Sequence, residues 1–181
     1  MPPGPLPRAS RRLKNVALWH PPVTPIPAHL LASIFDREPV ARLAVIDDDG
    51  VPEVMPIVFA RVATRFFSPI DGKPKKSGRL ARLRRIERCP RVGLVIDRYA
   101  ADWRALWWIR IAAQASIAVG QDADWDAAVT ALRSKYPQYR TTALFEGEPT
   151  LICFEPLTVR CWAAAGLEHF TREQTENPAD G

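Results

Sequence analysis

Residues 106–119, Leu-Trp-Trp-Ile-Arg-Ile-Ala-Ala-Gln-Ala-Ser-Ile-Ala-Val, constrain the fold of this chain more than any other stretch. Successive side chains of an extended strand point to opposite faces. One face then reads Trp107, Ile109, Ile111, Ala113, Ala115 and Ile117, all apolar. The other reads Leu106, Trp108, Arg110, Ala112, Gln114 and Ser116, a mixed set. A strand of this length with one wholly apolar face belongs to a sheet wrapped around a core, and its mixed face is set against something selective.

The remaining elements follow from periodicity and punctuation. Pro27–Glu38 carries Leu30, Leu31, Ile34 and Phe35 at helical spacing, with Pro27 suited to a first turn. Val40–Asp47 is a strand, and Asp48-Asp49-Gly50 turns it into a second one, Val51–Val62. Thr64–Ile70 predicts a third strand and Lys75–Arg88 a basic helix whose apolar stripe is Leu80, Leu83 and Ile86. Pro90 ends that helix and Val92–Asp97 is again a strand. Asp122–Lys135 is an amphipathic helix (Trp125, Ala128, Val129, Leu132), and Pro149–Trp162 supplies a last strand. Five or six antiparallel strands with few helices predict a mainly β fold, a small barrel.

The chain of 181 residues divides into one domain and two tails. Eight of 18 prolines fall in the first 27 residues, so residues 1–25 read as an extended tail without the apolar core of a secretory signal. Residues 26–164 form the domain and residues 165–181 a polar, acidic tail. No apolar run approaches the roughly 20 residues of a spanning helix. Cys89, Cys153 and Cys161 have no C-x-x-C spacing, which points away from a disulfide framework and towards a cytoplasmic setting.

Charge is concentrated. Asp71–Arg91 holds nine Lys and Arg against two acids, so this window carries +7 of a whole-chain +5 and the remainder is −2. Its opening, Asp71-Gly72-Lys73-Pro74-Lys75-Lys76-Ser77-Gly78, leads from a strand into a helix. Free N–H groups and the positive dipole end make such a helix start a phosphate cradle, to which Lys73, Lys75, Lys76 and Ser77 add charge and a hydroxyl. The alternative is a solvated basic face. Arg42 stands on the strand face of Val40, Ala44 and Ile46, where a cation needs a carboxylate or a bound anion. Trp108, Arg110 and Gln114 share the mixed face of the long strand and suit an interface or a planar ring ligand, or else Trp108 packs under a helix.

Other chemistries find no pattern. His20, His29 and His169 are scattered, with no paired-histidine or histidine–carboxylate cluster for a metal. Asp47-Asp48-Asp49 is explained by a turn, and no G-x-S-x-G elbow, P-loop or G-x-G-x-x-G is present. No side chain is singled out as catalytic, so enzymatic chemistry here belongs to a bound cofactor. The arginines of 79–91 could serve non-specific nucleic-acid binding with steep salt dependence, but few aromatics interleave with them as single-strand binders need.

Val40-Ala41-Arg42-Leu43-Ala44-Val45-Ile46-Asp47, Asp49-Gly50-Val51-Pro52 and Val54-Met55-Pro56-Ile57-Val58-Phe59 resemble the opening hairpin of the pyridoxamine 5′-phosphate oxidase-like, flavin- and deazaflavin-binding split-barrel family. Asp71–Lys75, Cys89-Pro90-Arg91-Val92 and Val95-Ile96-Asp97-Arg98-Tyr99 extend the likeness. Asp102-Trp103, Leu106-Trp107-Trp108-Ile109-Arg110 and Lys135-Tyr136-Pro137-Gln138-Tyr139 resemble the subgroup of oxidoreductases dependent on the deazaflavin coenzyme F420. The resemblance covers about residues 28–162.

It implies a six-stranded antiparallel split β-barrel, a homodimer, and two cofactors in clefts between the subunits. It places Arg42, Lys73, Lys75, Lys76 and Ser77 at the cofactor phosphate, the backbone of Pro56, Ile57 and Val58 along the ring, and Trp108, Arg110 and Gln114 at the cleft or the partner subunit. The implied activity is hydride transfer between reduced F420, or FMN, and a small organic acceptor. The alternatives are an FMN-dependent pyridoxamine phosphate oxidase-like enzyme and a non-catalytic flavin carrier. Two departures stand out. Ala112-Ala113-Gln114 replaces the glycine and small residue that often follow the Trp-Trp-x-Arg segment. The C-terminal region that the vitamin B6 oxidases use for substrate is not evident after Trp162.

Overall fold

The computed structural model describes residues 26–70, 78–145 and 147–166. Seven antiparallel strands and three α-helices run in the order α1 (Ala28–Arg37), β1 (Ala41–Ile46), β2 (Pro52–Ile57), β3 (Ala60–Val62), β4 (Arg65–Pro69), α2 (Gly78–Arg88), β5 (Arg91–Arg98), β6 (Trp107–Ala118), α3 (Trp125–Lys135) and β7 (Leu151–Ala163). All strands join one sheet of order β2-β1-β5-β6-β7-β4-β3. The expected helices and strands are found among the described residues with boundaries within three residues, except that Val51–Val62 is two strands and residues 75–77 of the expected basic helix lie outside the described ones.

Two details of the expected six-stranded barrel are corrected. There are seven strands, and among the described residues no pairing joins β2 to β3, so the sheet is not closed. The seventh strand arises because Val51–Val62 breaks at Phe59. The buried Tyr136 hydroxyl accepts the Phe59 N–H at 2.9 Å and lies 2.8 Å from Phe59 O and 2.9 Å from Pro39 O. Its single proton serves one of those carbonyls at a time. A side chain thus replaces a neighbouring strand as partner of this backbone, and the chain turns out of one edge and into the other.

The long strand behaves as its alternation predicts. Trp107, Ile109, Ile111, Ala113 and Ala115 are buried while Arg110, Ala112, Gln114 and Ser116 are exposed. The alternation then slips: Ile117 is half-buried and Ala118 buried, because Ala118 packs with Trp125, Ala128 and Leu132 in a second core. The main core gathers the inward residues of β1, β5 and β6 with Leu30, Ile34 and Phe35 of α1 and Ile86 of α2. β4 and the start of β7 feed both cores, Phe66, Ile152 and Phe154 the first and Phe67, Leu151 and Cys153 the second. Covered on both faces, Leu151–Phe154 reads as a continuous apolar run instead of an alternating one.

The charge run of α2 finds its partners inside the molecule. Arg84 pairs with Asp48 at 2.7 Å, Arg88 reaches Asp48 at 3.1 Å and the Asp47 carbonyl, and Arg85 pairs with Glu53. The β1–β2 turn receives these cations and is itself shaped by Asp47, whose Oδ1 accepts the N–H groups of Asp49 and Val51 at 3.0 and 2.8 Å. Gly50 occupies the left-handed region that this turn requires, with φ 81°. Three of the arginines that made the window basic therefore pin a helix to a hairpin. The Arg84 guanidinium beside Asp48 holds its carboxyl below the usual range.

Candidate functional site

β1, β2, β5, β6 and the second half of β7 expose one common face, opposite the main core, which no described helix covers. Register lines its side chains up in rows. One row runs Pro56, Arg42, Val95, Arg110 and Arg160 from β2 to β7. The next runs Val54, Ala44, Gly93, Ala112 and Thr158. On the far side of the arginine row Asp97, Trp108 and Trp162 stand side by side, and past the small-residue row come Arg91, Gln114 and Glu155.

These rows bring together Arg42, Pro56, Trp108, Arg110 and Gln114 on one face. Arg42 is paired with Asp97 and keeps about half of its side chain exposed. Arg110 lies over the Trp108 ring with its guanidinium carbon 4.9 Å from the ring centroid, a cation–π contact. Ile57 points the other way into the core, and Val58 is half-buried beside the second core. Lys73, Lys75, Lys76 and Ser77 lie outside the described residues.

The centre of the face is a flat shelf. Ala44, Gly93 and Ala112 are adjacent across three strands, a width of about 10 Å at the usual strand spacing. A Cβ added at Gly93 would meet only the Ala44 Cβ, at 3.8 Å, an ordinary contact. Packing within the chain therefore does not demand glycine there. Glycine inside a strand weakens it and often marks the close approach of a ligand or another backbone. The Ala112 methyl is on this shelf, whereas that of Ala113 is in the core.

Sequence reasoning missed Arg160 and Trp162. Both are on β7, a strand whose apolar start masks the alternation of its second half, and a one-residue bulge at Leu157 resets which residues face outward. Tyr99 and Trp103 extend the aromatic end of the site beyond β5 and are 74% and 79% exposed, far more than rings needed for a core. Asp102 caps the short 3-10 turn Trp103–Ala105 by accepting the Arg104 N–H at 3.0 Å.

The donor set suits a flat, anionic group, with arginines, a glutamine amide and a threonine hydroxyl around a small-residue shelf and tryptophan faces beside it. Among the described residues no group of three or more His, Cys, Asp or Glu could hold a metal ion. Cys153 and Cys161 lie away from this face, and burial pushes both thiols up, away from the nucleophilic thiolate. No described helix is long and apolar enough to cross a membrane.

No protein-family profile matches the chain, and no curated protein matches it significantly. Solved structures do. The conserved hypothetical protein Rv2991 of Mycobacterium tuberculosis superposes with TM-score 0.64 at 14% identity, over 81% of this chain and 89% of that one. HutZ, the heme storage protein of Vibrio cholerae, gives 0.59 at 16% identity over 75% and 93%. An FAD-binding protein of Mesorhizobium loti gives 0.56 at 17% identity over 75% and 94%. The chain shares its fold with these three proteins. Identities this low show the fold alone and single out no F420 subgroup.

Proposed function

We propose that the protein is a flavin- or deazaflavin-dependent oxidoreductase whose cofactor ring lies on the Ala44–Gly93–Ala112 shelf. The observation that carries this reading is Gly93, a glycine in mid-strand that the chain's own packing does not require, beside arginines and tryptophans on an uncovered sheet face. Coenzyme F420 is the preferred cofactor, from the sequence resemblance, and FMN the second. When bound, such a ring supplies the hydride-transfer chemistry. The chain's residues bind it, orient it and keep water from it. Gln114 and Arg91 offer donors on one side of the shelf and Arg42 and Arg110 on the other, while Lys73, Lys75, Lys76 and Ser77 hold its phosphate. No side chain is assigned a proton transfer.

A homodimer belongs to the same proposal, in a cytoplasmic setting. The face is uncovered, it carries Val54 at 62% exposure, and a second copy laid on it would close the cleft and exclude water. The second reading is a non-catalytic carrier of the same ligand. The fold likeness to a heme storage protein favours keeping it.

The absorption spectrum and mass of the small molecule that co-purifies, or that saturates the protein in titration, tests the proposal. Binding of FMN or F420, and reduction of an added acceptor once the bound cofactor has been reduced with a stoichiometric chemical reductant, is the expected result. Binding without any turnover favours the carrier, and binding of neither removes the reading.

A further inference from the structure

The β6–β7 register sets Arg110 directly opposite Arg160 and, two residues along, Trp108 directly opposite Trp162, all on the uncovered face. Like charges directly opposite destabilise a sheet. This molecule elsewhere avoids that cost. Arg42, Arg61, Arg65, Arg84, Arg85 and Arg88 each hold a carboxylate. Among the described residues neither Arg110 nor Arg160 meets one. Asp97, the acid nearest in the register, is taken by Arg42.

We propose that Arg110 and Arg160 form a two-guanidinium clamp for a single oxyanion, a carboxylate or phosphate, carried by an aromatic or conjugated molecule whose ring rests against Trp108 and Trp162. This deepens the proposed function, on whose ligand face it rests. It offers an anion locus alternative to Arg42 and the 73–77 segment: the cofactor phosphate is held at one place or the other. Two planar forks on adjacent strands can each place a pair of N–H donors on one oxyanion, and an anion between them converts repulsion into attraction. Tryptophan faces add stacking for the ring. The assignment also answers what a dimer would need. A second copy laid on this face would bury two cations that hold no carboxylate, which is strongly unfavourable unless an anion is buried with them. The anion can be the phosphate of the cofactor or the acid group of the acceptor.

The test compares the full chain with Arg110→Gln/Arg160→Gln, and with Arg133→Gln as an exposed-arginine control, by calorimetric titration. The probes are FMN, riboflavin and p-hydroxybenzoate. Binding of at least one anionic probe falls tenfold or more in the double variant and is unchanged in the control. If FMN weakens while riboflavin does not, the anion is the cofactor phosphate. If FMN is unaffected and p-hydroxybenzoate weakens on FMN-loaded protein, the anion belongs to the acceptor. The double variant melts at or above the wild-type temperature without ligand, since a repulsion has been removed, which separates lost binding from lost fold. Equal affinities of wild type and double variant for all three probes, or wild-type binding of no anionic probe, overturn the clamp. A wild type that takes p-hydroxybenzoate through these arginines but neither flavin keeps the clamp and removes the flavin reading.

Discussion

The strands β6 and β7 pass through two different environments. At one end Leu151–Phe154 and the segment around Ala118 are covered on both faces, by the main core and by α3. At the other end the same two strands keep an apolar inner face but present Trp108, Arg110, Arg160 and Trp162 outward with no described element over them. The covered end carries stability, and the bare end is where the proposed ligand would sit.

The largest effect that could break this division is at the covered end. Phe154→Ala removes a fully buried ring from the main core and is expected to cost about 3–5 kcal/mol in denaturant unfolding. Tyr136→Phe comes next. It strips the partner from the Phe59 N–H and from a carbonyl, for an expected cost of about 1–3 kcal/mol. Its hydrogen-exchange signature should be local, at the β2–β3 break. A Tyr136→Phe protein as stable as wild type would mean that the hydroxyl does not organise that break.

The covered end should also govern the alkaline pH profile. Burial pushes the Lys135 ammonium down to about 8, against the pull of Asp36 and Glu38, although its Nζ donates to Phe35 O at 2.7 Å and lies 3.7 Å from the Phe59 ring centroid. Between about 8 and its ordinary 10.5 the unfolded chain holds a proton that the folded chain has released, so stability rises with pH. Burial pushes Tyr136 up to about 12, so from 10 upwards the unfolded chain releases a proton the fold keeps, and stability falls. The Cys153 and Cys161 thiols, which burial pushes up from 9.0, add a fall of the same sign as that of Tyr136 from about 9 upwards, so the rise due to Lys135 is clearest between about 8 and 9. Lys135→Met should abolish the rising limb and leave the falling one.

The smallest effect concerns the clamp of α2 on the hairpin. Because the folded carboxyl of Asp48 titrates below its ordinary 3.8, its contribution is full above that value and is lost as pH falls through the lower folded value. Asp48→Asn should be slightly less stable than wild type at neutral pH and converge with it in strong acid. The gap should shrink with salt, as exposed ion pairs do.

Much of this was legible in the sequence, for reasons that are local. Period-2 alternation over 106–119 predicts the two faces of β6, and Asp48-Asp49-Gly50 predicts the hairpin. Trp108, Arg110 and Gln114 were legible by the same parity, and Arg42 as a cation in need of a carboxylate, which it finds in Asp97. What was not legible depends on distant partners. The break at Phe59 is made by Tyr136, 77 residues away, and the α2 arginines are absorbed by Asp48, some 36 to 40 residues upstream. Arg160 and Trp162 face outward only because a bulge at Leu157 resets β7, and no pattern within that strand announces it.

The central claim, that the bare face takes a planar redox cofactor, is tested most directly by Gly93→Val. A Cβ at this position meets only the Ala44 Cβ, so the added side chain starts from an unstrained position on the shelf. Strand propensity leaves the denaturation midpoint within about 1 kcal/mol of wild type, or slightly above it. Isothermal titration with FMN and F420 should then show wild-type binding of at least one of them and a loss of tenfold or more in Gly93→Val at that unchanged stability. Binding by the variant as tight as by wild type would place the cofactor elsewhere and contradict the account.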